Sequence, residues 1–135
     1  RPPLWTSPKV QDERRRRHGM ERTPLGFLLV ALGGFVGAVA RHGIDVAVGD
    51  VTGVGTLLAN VLGSFALGVV ITRATDRQTR LFVGTGALSS FTTYSTFAVQ
   101  TASLGSAWGL ANIGANYALG FAAALAGLRL GRRFA

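Results

Sequence analysis

The chain has 135 residues, a formal charge of +8 and no cysteine, and 48% hydrophobic residues stand against only 15% charged ones. A water-soluble domain carries about 25% charge, so a soluble fold is excluded, and the lack of cysteine excludes disulfide scaffolds, thiolate metal sites and a cysteine nucleophile. Two histidines (His18 and His42) make no ligand cluster, and no apolar segment holds a carboxylate pair; the sequence predicts an integral membrane protein that is not an enzyme.

Residues 1–24 contain Pro2, Pro3, Pro8 and the run Arg14–Arg17 with few apolar side chains, which reads as a disordered basic cytoplasmic tail. Met20 is a candidate start, which would make the residues before it an over-called beginning. The arginine run lacks the interleaved aromatics of a nucleic-acid patch, so it is taken as a topological or solvated tail, with no nucleic-acid partner.

Four apolar segments follow, at about 25–48, 54–72, 81–102 and 107–128. Residues 81–128 contain no Asp, Glu, Lys or Arg, room for two spans of about 20 residues and a tight turn. Backbone groups in lipid must be satisfied within the segment, so these spans are expected to be helices. The brief joints 49–53, 73–80 and 103–106 make neighbours antiparallel. Small residues four apart (Gly33/Gly37, Ser64/Gly68, Gly105/Gly109, Gly127/Gly131) are expected to let helices approach closely.

The charge is lopsided. The tail carries a net +4, the 73–80 joint +2 and the C-terminal end +3, against −1 at 49–53 and nothing at 103–106. Positive loops stay cytoplasmic, which places both termini inside a multi-pass protein of the plasma (inner) membrane.

Polar residues within spans are the functional candidates. Arg41 and Asp45 share a helix face in segment one, near its outer end. The pattern suits an ion pair, with a vestibule role for Arg41 as the second reading. Asn60 in segment two either bonds a neighbouring helix or offers its NH₂ to an anion. Residues 89–96 read Ser-Ser-Phe-Thr-Thr-Tyr-Ser-Thr. Hydroxyl side chains compete for backbone bonds, so a helix break is expected here. Such breaks offer carbonyls to cations and N–H or O–H donors to anions. Tyr94 and Phe97, three apart, bring ring edges of partial positive charge.

Three motifs in order complete a pattern: Gly33-Gly34-Phe35-Val36-Gly37-Ala38-Val39-Ala40-Arg41, the stretch from Gly55 to Gly68 around Asn60, and Thr92-Thr93-Tyr94-Ser95-Thr96-Phe97. Together with the segment count, they make the chain resemble the Fluc (CrcB) fluoride channels, small four-helix bacterial membrane proteins. The resemblance implies an all-α fold of four transmembrane helices with a break in the third, assembled as an antiparallel dimer that conducts fluoride passively out of the cell. It implies a pore lined by Asn60, Thr93, Tyr94, Ser95, Thr96 and Phe97, and a structural sodium ion held by the backbone carbonyls of Ser89 and Thr92. Four positions depart from the family pattern. The usual glycine pair at the break is Ser89-Ser90, the first pore Phe is Tyr94, and an acid often found after the second Phe is Gln100. The fourth helix offers no hydroxyl beyond Tyr117, which thins one polar track.

A homodimer of opposed copies needs a chain that inserts both ways. The bias of this chain predicts one orientation, and therefore a heterodimer with an oppositely oriented paralogue. Two other readings compete: a small multidrug-type proton-coupled transporter, for which Asp45 is the one available acid, and a non-conducting subunit that completes its partner's pore.

Overall fold

The computed structural model describes residues 23–49 and 53–133. Residues 1–22 lie outside them, and with them nearly all of the expected basic tail. Among the described residues every regular element is helical.

Helix α1 (Pro24–Val48) starts where Thr23 Oγ1 accepts the Gly26 N–H at 3.2 Å, with Pro24 in the first turn; proline is suited there because its missing N–H has no helical partner to lose. It stops at Gly49, whose φ of +69° takes the chain out of the helix. Helix α2 (Val54–Arg73) opens after Gly53 at φ +89° and ends at Ala74. The third segment is composite. Asp76 accepts the Thr79 N–H at 2.8 Å and caps a short turn, α3 (Arg77–Thr79); these bonds hold the exposed Asp76 carboxyl below its ordinary value of 3.8. A π-helical stretch, Arg80–Leu88, follows, then α4 (Ser89–Phe91), a break, and α5 (Ser95–Ser103). Leu104 and Gly105, at φ +76°, turn the chain into α6 (Gly105–Arg133).

Segments one and two match their expected bounds closely. The fourth is longer than expected at both ends, because its last turn accommodates Arg132 and Arg133, cations that suit the negative end of a helix dipole. The third, expected over 81–102 with a break among residues 89–96, runs over 77–103 and is interrupted at 92–94. Three helices, α1, α2 and α6, are long and apolar enough to cross a membrane.

The helices pack on backbone rather than on large side chains. A Cβ at Gly33 would collide with the Phe82 carbonyl and one at Gly37 with that of Ala87, so α1 lies directly on the π-helical stretch. Gly127 sits likewise on the Phe65 carbonyl and Gly131 on Thr72, bringing α6 onto α2. Lipid tails are as apolar as leucine, so little hydrophobic force drives helices together and close packing takes its place. Phe27, Phe35, Trp108 and Phe121 accordingly point outward, each about two-thirds or more exposed. Gly105, expected to be a packing residue, has nothing near its Cβ position and serves the turn.

These contacts set direction. Asn60, Ser64, Gly68 and Thr72 of α2 meet Asn116, Gly120, Gly127 and Gly131 of α6 in turn, so the two run parallel; α1 and the first half of the third segment also run parallel. One end of the bundle therefore gathers Arg73, Arg77, Arg80, Arg129, Arg132 and Arg133, and the other the α1–α2 and α5–α6 turns.

A polar break and an amide chain

The break falls at Thr92, Thr93 and Tyr94, inside the hydroxyl-rich stretch, with Thr92 extended at φ −79°, ψ 152°. Its backbone is held from outside. The Thr93 N–H donates to Asn60 Oδ1 at 2.9 Å, and Asn60 Nδ2 donates back to the Thr93 carbonyl at 3.2 Å and to Asn116 Oδ1 at 3.1 Å. Thr93 Oγ1 then accepts the Thr96 N–H at 3.3 Å and caps α5, within reach of the Ser95 and Thr96 hydroxyls at 3.3 and 3.2 Å. An orphaned peptide group in an apolar setting costs about 1–3 kcal/mol, and Asn60 meets that cost on both sides of Thr93. Gly63, one turn along α2, leaves the room that Thr92 Cγ2 occupies.

Four of the six residues expected to line a pore, Asn60, Thr93, Tyr94 and Phe97, share one cleft, and Ser95 and Thr96 are not part of its lining. This cleft of about 450 Å³ is also lined by Asn116 and Tyr117. Phe97 is only 7% exposed and meets Tyr94 at 5.8 Å and Tyr117 edge-on at 6.4 Å between ring centroids. Tyr94, by contrast, is 74% exposed. Ser95 and Thr96 are also exposed.

Two expectations need correction. Arg41 and Asp45 form no ion pair among the described residues; the Asp45 carboxylate instead lies against α2, where a Cβ on Gly55 would come within 2.6 Å of its Oδ1. The fourth helix is not short of polar groups at this depth. Asn116 Nδ2 donates to the Asn112 carbonyl at 3.0 Å and to Asn112 Oδ1 at 3.1 Å, and Asn112 Nδ2 donates to Thr101 Oγ1 at 2.8 Å. Amides take the place of hydroxyls on this helix. The signal was available, since asparagines four apart share one helix face.

The carbonyls of Ser89 and Thr92, at which the family resemblance implies a sodium ion, lie where the third segment enters its break. In an unbroken helix the Thr93 N–H would bond Ser89 O; here it turns to Asn60. No backbone N–H among the described residues takes either carbonyl. Ser89 has ordinary helical angles, φ −69°, ψ −26°, so serine in place of glycine carries no conformational penalty. Ser89 Oγ bonds back to the Thr85 and Gly86 carbonyls. Gln100 Oε1 is buried without a hydrogen-bond partner among the described residues; a carboxylate there would be a buried unpaired charge, which costs far more.

Apolar helices packed on glycine around a polar break define a helical membrane protein with a polar cleft beside that break. A family model described as CrcB-like protein, Camphor Resistance (CrcB), matches residues 28–128, and the chain belongs to that family. It is 49% identical over 107 residues to the fluoride-specific ion channel FluC 1 of Natronomonas pharaonis, covering 76% of this chain and 90% of that protein. It is 50% identical over 105 residues to FluC 2 of Halobacterium salinarum (73% and 80%) and 47% over 113 residues to FluC 1 of Haloarcula marismortui (80% and 87%), both also named fluoride-specific ion channels.

Proposed function

We propose that the chain is a subunit of a fluoride-specific channel that lets fluoride leave the cytoplasm passively. The observation that carries this reading is the Asn60 clamp on the broken third segment, beside Phe97, in a chain of this family. Fluoride is small and strongly hydrated, so a path must replace its water with donors held in place. The hydroxyls of Thr93, Ser95 and Thr96 and the ring edges of Tyr94 and Phe97 are such groups, and Asn60 keeps them in register.

The composite third segment is the fourth crossing, and Tyr94, exposed in a single chain, is covered in an antiparallel dimer. With six arginines at one end, both termini face the cytoplasm and the chain inserts one way into the plasma membrane; its partner is an oppositely oriented paralogue. Sodium at the Ser89 and Thr92 carbonyls would supply a fixed positive charge that holds the two half-helices together.

Vesicles of defined lipid, loaded with fluoride or chloride, test the reading. Fluoride efflux and chloride retention are expected with this chain and its paralogue. Efflux restored by the paralogue with this chain's Phe97→Ile variant would favour a non-conducting subunit. A proton-coupled transporter needs a deep acid, whereas Asp45 sits near the end of α1. Asp45→Asn is therefore expected to leave efflux intact; its abolition, with Phe97→Ile active, would favour the transporter.

A further inference from the structure

The hydrogen bonds around the break run in one direction. The Thr93 N–H donates to Asn60 Oδ1, Asn60 Nδ2 to Asn116 Oδ1, Asn116 Nδ2 to Asn112 Oδ1, and Asn112 Nδ2 to Thr101 Oγ1. Asn60 and Asn116 spend their second N–H on the carbonyls of Thr93 and Asn112. No N–H of Asn60 remains for an ion unless the clamp opens. At the end of the chain the balance differs. Asn112 keeps one N–H, and the Thr101 hydroxyl, which only accepts, keeps its hydrogen; neither has a partner among the described residues.

Head-to-tail hydrogen bonds polarise one another, so the last donor is stronger than an isolated one. The planar amide sends its second N–H away from Thr101, so the donor that can turn to a compact anion is the Thr101 hydroxyl, held by Asn112 at 2.8 Å. A second feature adds positive potential. Gly53 opens α2 with no side-chain cap, and a Cβ on it would lie 3.6 Å from Asn112 Oδ1. The N–H groups of that first turn carry the positive end of a 20-residue helix dipole. Among the described residues Asp45, against Gly55, is the carboxylate beside this turn; Asp50 lies outside them.

We propose that the Thr101 hydroxyl, held by Asn112 and polarised by the amide chain that starts at the break, is a fluoride-binding site at the end of the bundle opposite the arginines of the α2–α3 joint and the α6 terminus. The site rests on the fluoride reading above and adds to it a place where the ion meets a free donor. Removal of the competing Asp45 charge strengthens it.

Fluoride-dependent thermal unfolding of the purified full chain in detergent, in the dimer it forms, decides the matter, with chloride as control. The wild-type Tm is expected to rise with fluoride. Thr101→Val, which keeps the shape and loses the hydroxyl, is expected to raise the fluoride midpoint about tenfold, while Thr101→Ser stays within about twofold of wild type. Asn112→Leu follows Thr101→Val but also cuts the chain, so the Thr101 pair is decisive. An unchanged midpoint in Thr101→Val, a failure of Thr101→Ser to rescue it, or no fluoride response in the wild type overturns the site. Vesicle efflux separates the two claims: a wild type that binds through Thr101 but conducts nothing refutes the channel and leaves the site standing.

Discussion

Asn60 does with one amide what a helix break otherwise leaves undone. Its oxygen takes the Thr93 N–H, and its nitrogen returns a bond to the same residue and reaches Asn116. Asn60→Leu keeps the volume and removes all three bonds, so it is expected to destabilise the protein by about 1–3 kcal/mol, read as a lower Tm in detergent, and to stop fluoride efflux from vesicles. Asn60→Asp retains the acceptor and loses both donors. The carboxylate then faces the Thr93 and Asn116 oxygens, and efflux is expected to disappear although the protein still folds. Wild-type efflux in Asn60→Asp would mean that the clamp has no part in conduction.

At the scale of the element, glycine decides which helices touch. Gly127 lies on the backbone of α2, where the Phe65 carbonyl occupies the place of a side chain. Gly127→Val is therefore expected to separate α2 from α6, costing about 1–3 kcal/mol or more for an overpacked interface and appearing as lost monodispersity in detergent. Gly43, within the last two turns of α1, has nothing within 4 Å of its Cβ position. Gly43→Ala is expected to raise stability by about 0.5–1 kcal/mol through helix propensity alone. Equal losses in both variants would show that the glycines serve flexibility rather than approach.

For the whole molecule, the governing fact is that the arginines of the α2–α3 joint and of the α6 terminus share one end of the bundle. Tags at both termini are expected to be protected from an impermeant reagent added outside intact cells. Neutral replacements at Arg73, Arg77 and Arg80 are expected to give a mixed population labelled from both faces, because the charge bias sets orientation. Labelling of the unmodified chain from both faces would point to a homodimer of opposed copies.

How much of this was legible beforehand depends on range. The apolar segments, their joints at 49–53 and 103–106, and the break among Ser89–Thr96 are local consequences of hydropathy, backbone freedom and hydroxyl competition, so the linear chain alone determined them. The family resemblance carried Asn60, Thr93 and Phe97 to one place. The destination of each amide was decided only in three dimensions, because a hydrogen bond between residues 33 or 56 positions apart leaves no periodicity to read. For the same reason Asp45 turned out to face Gly55 rather than Arg41, and a fourth helix that looked poor in hydroxyls proved to hold the asparagines that join the break to Thr101.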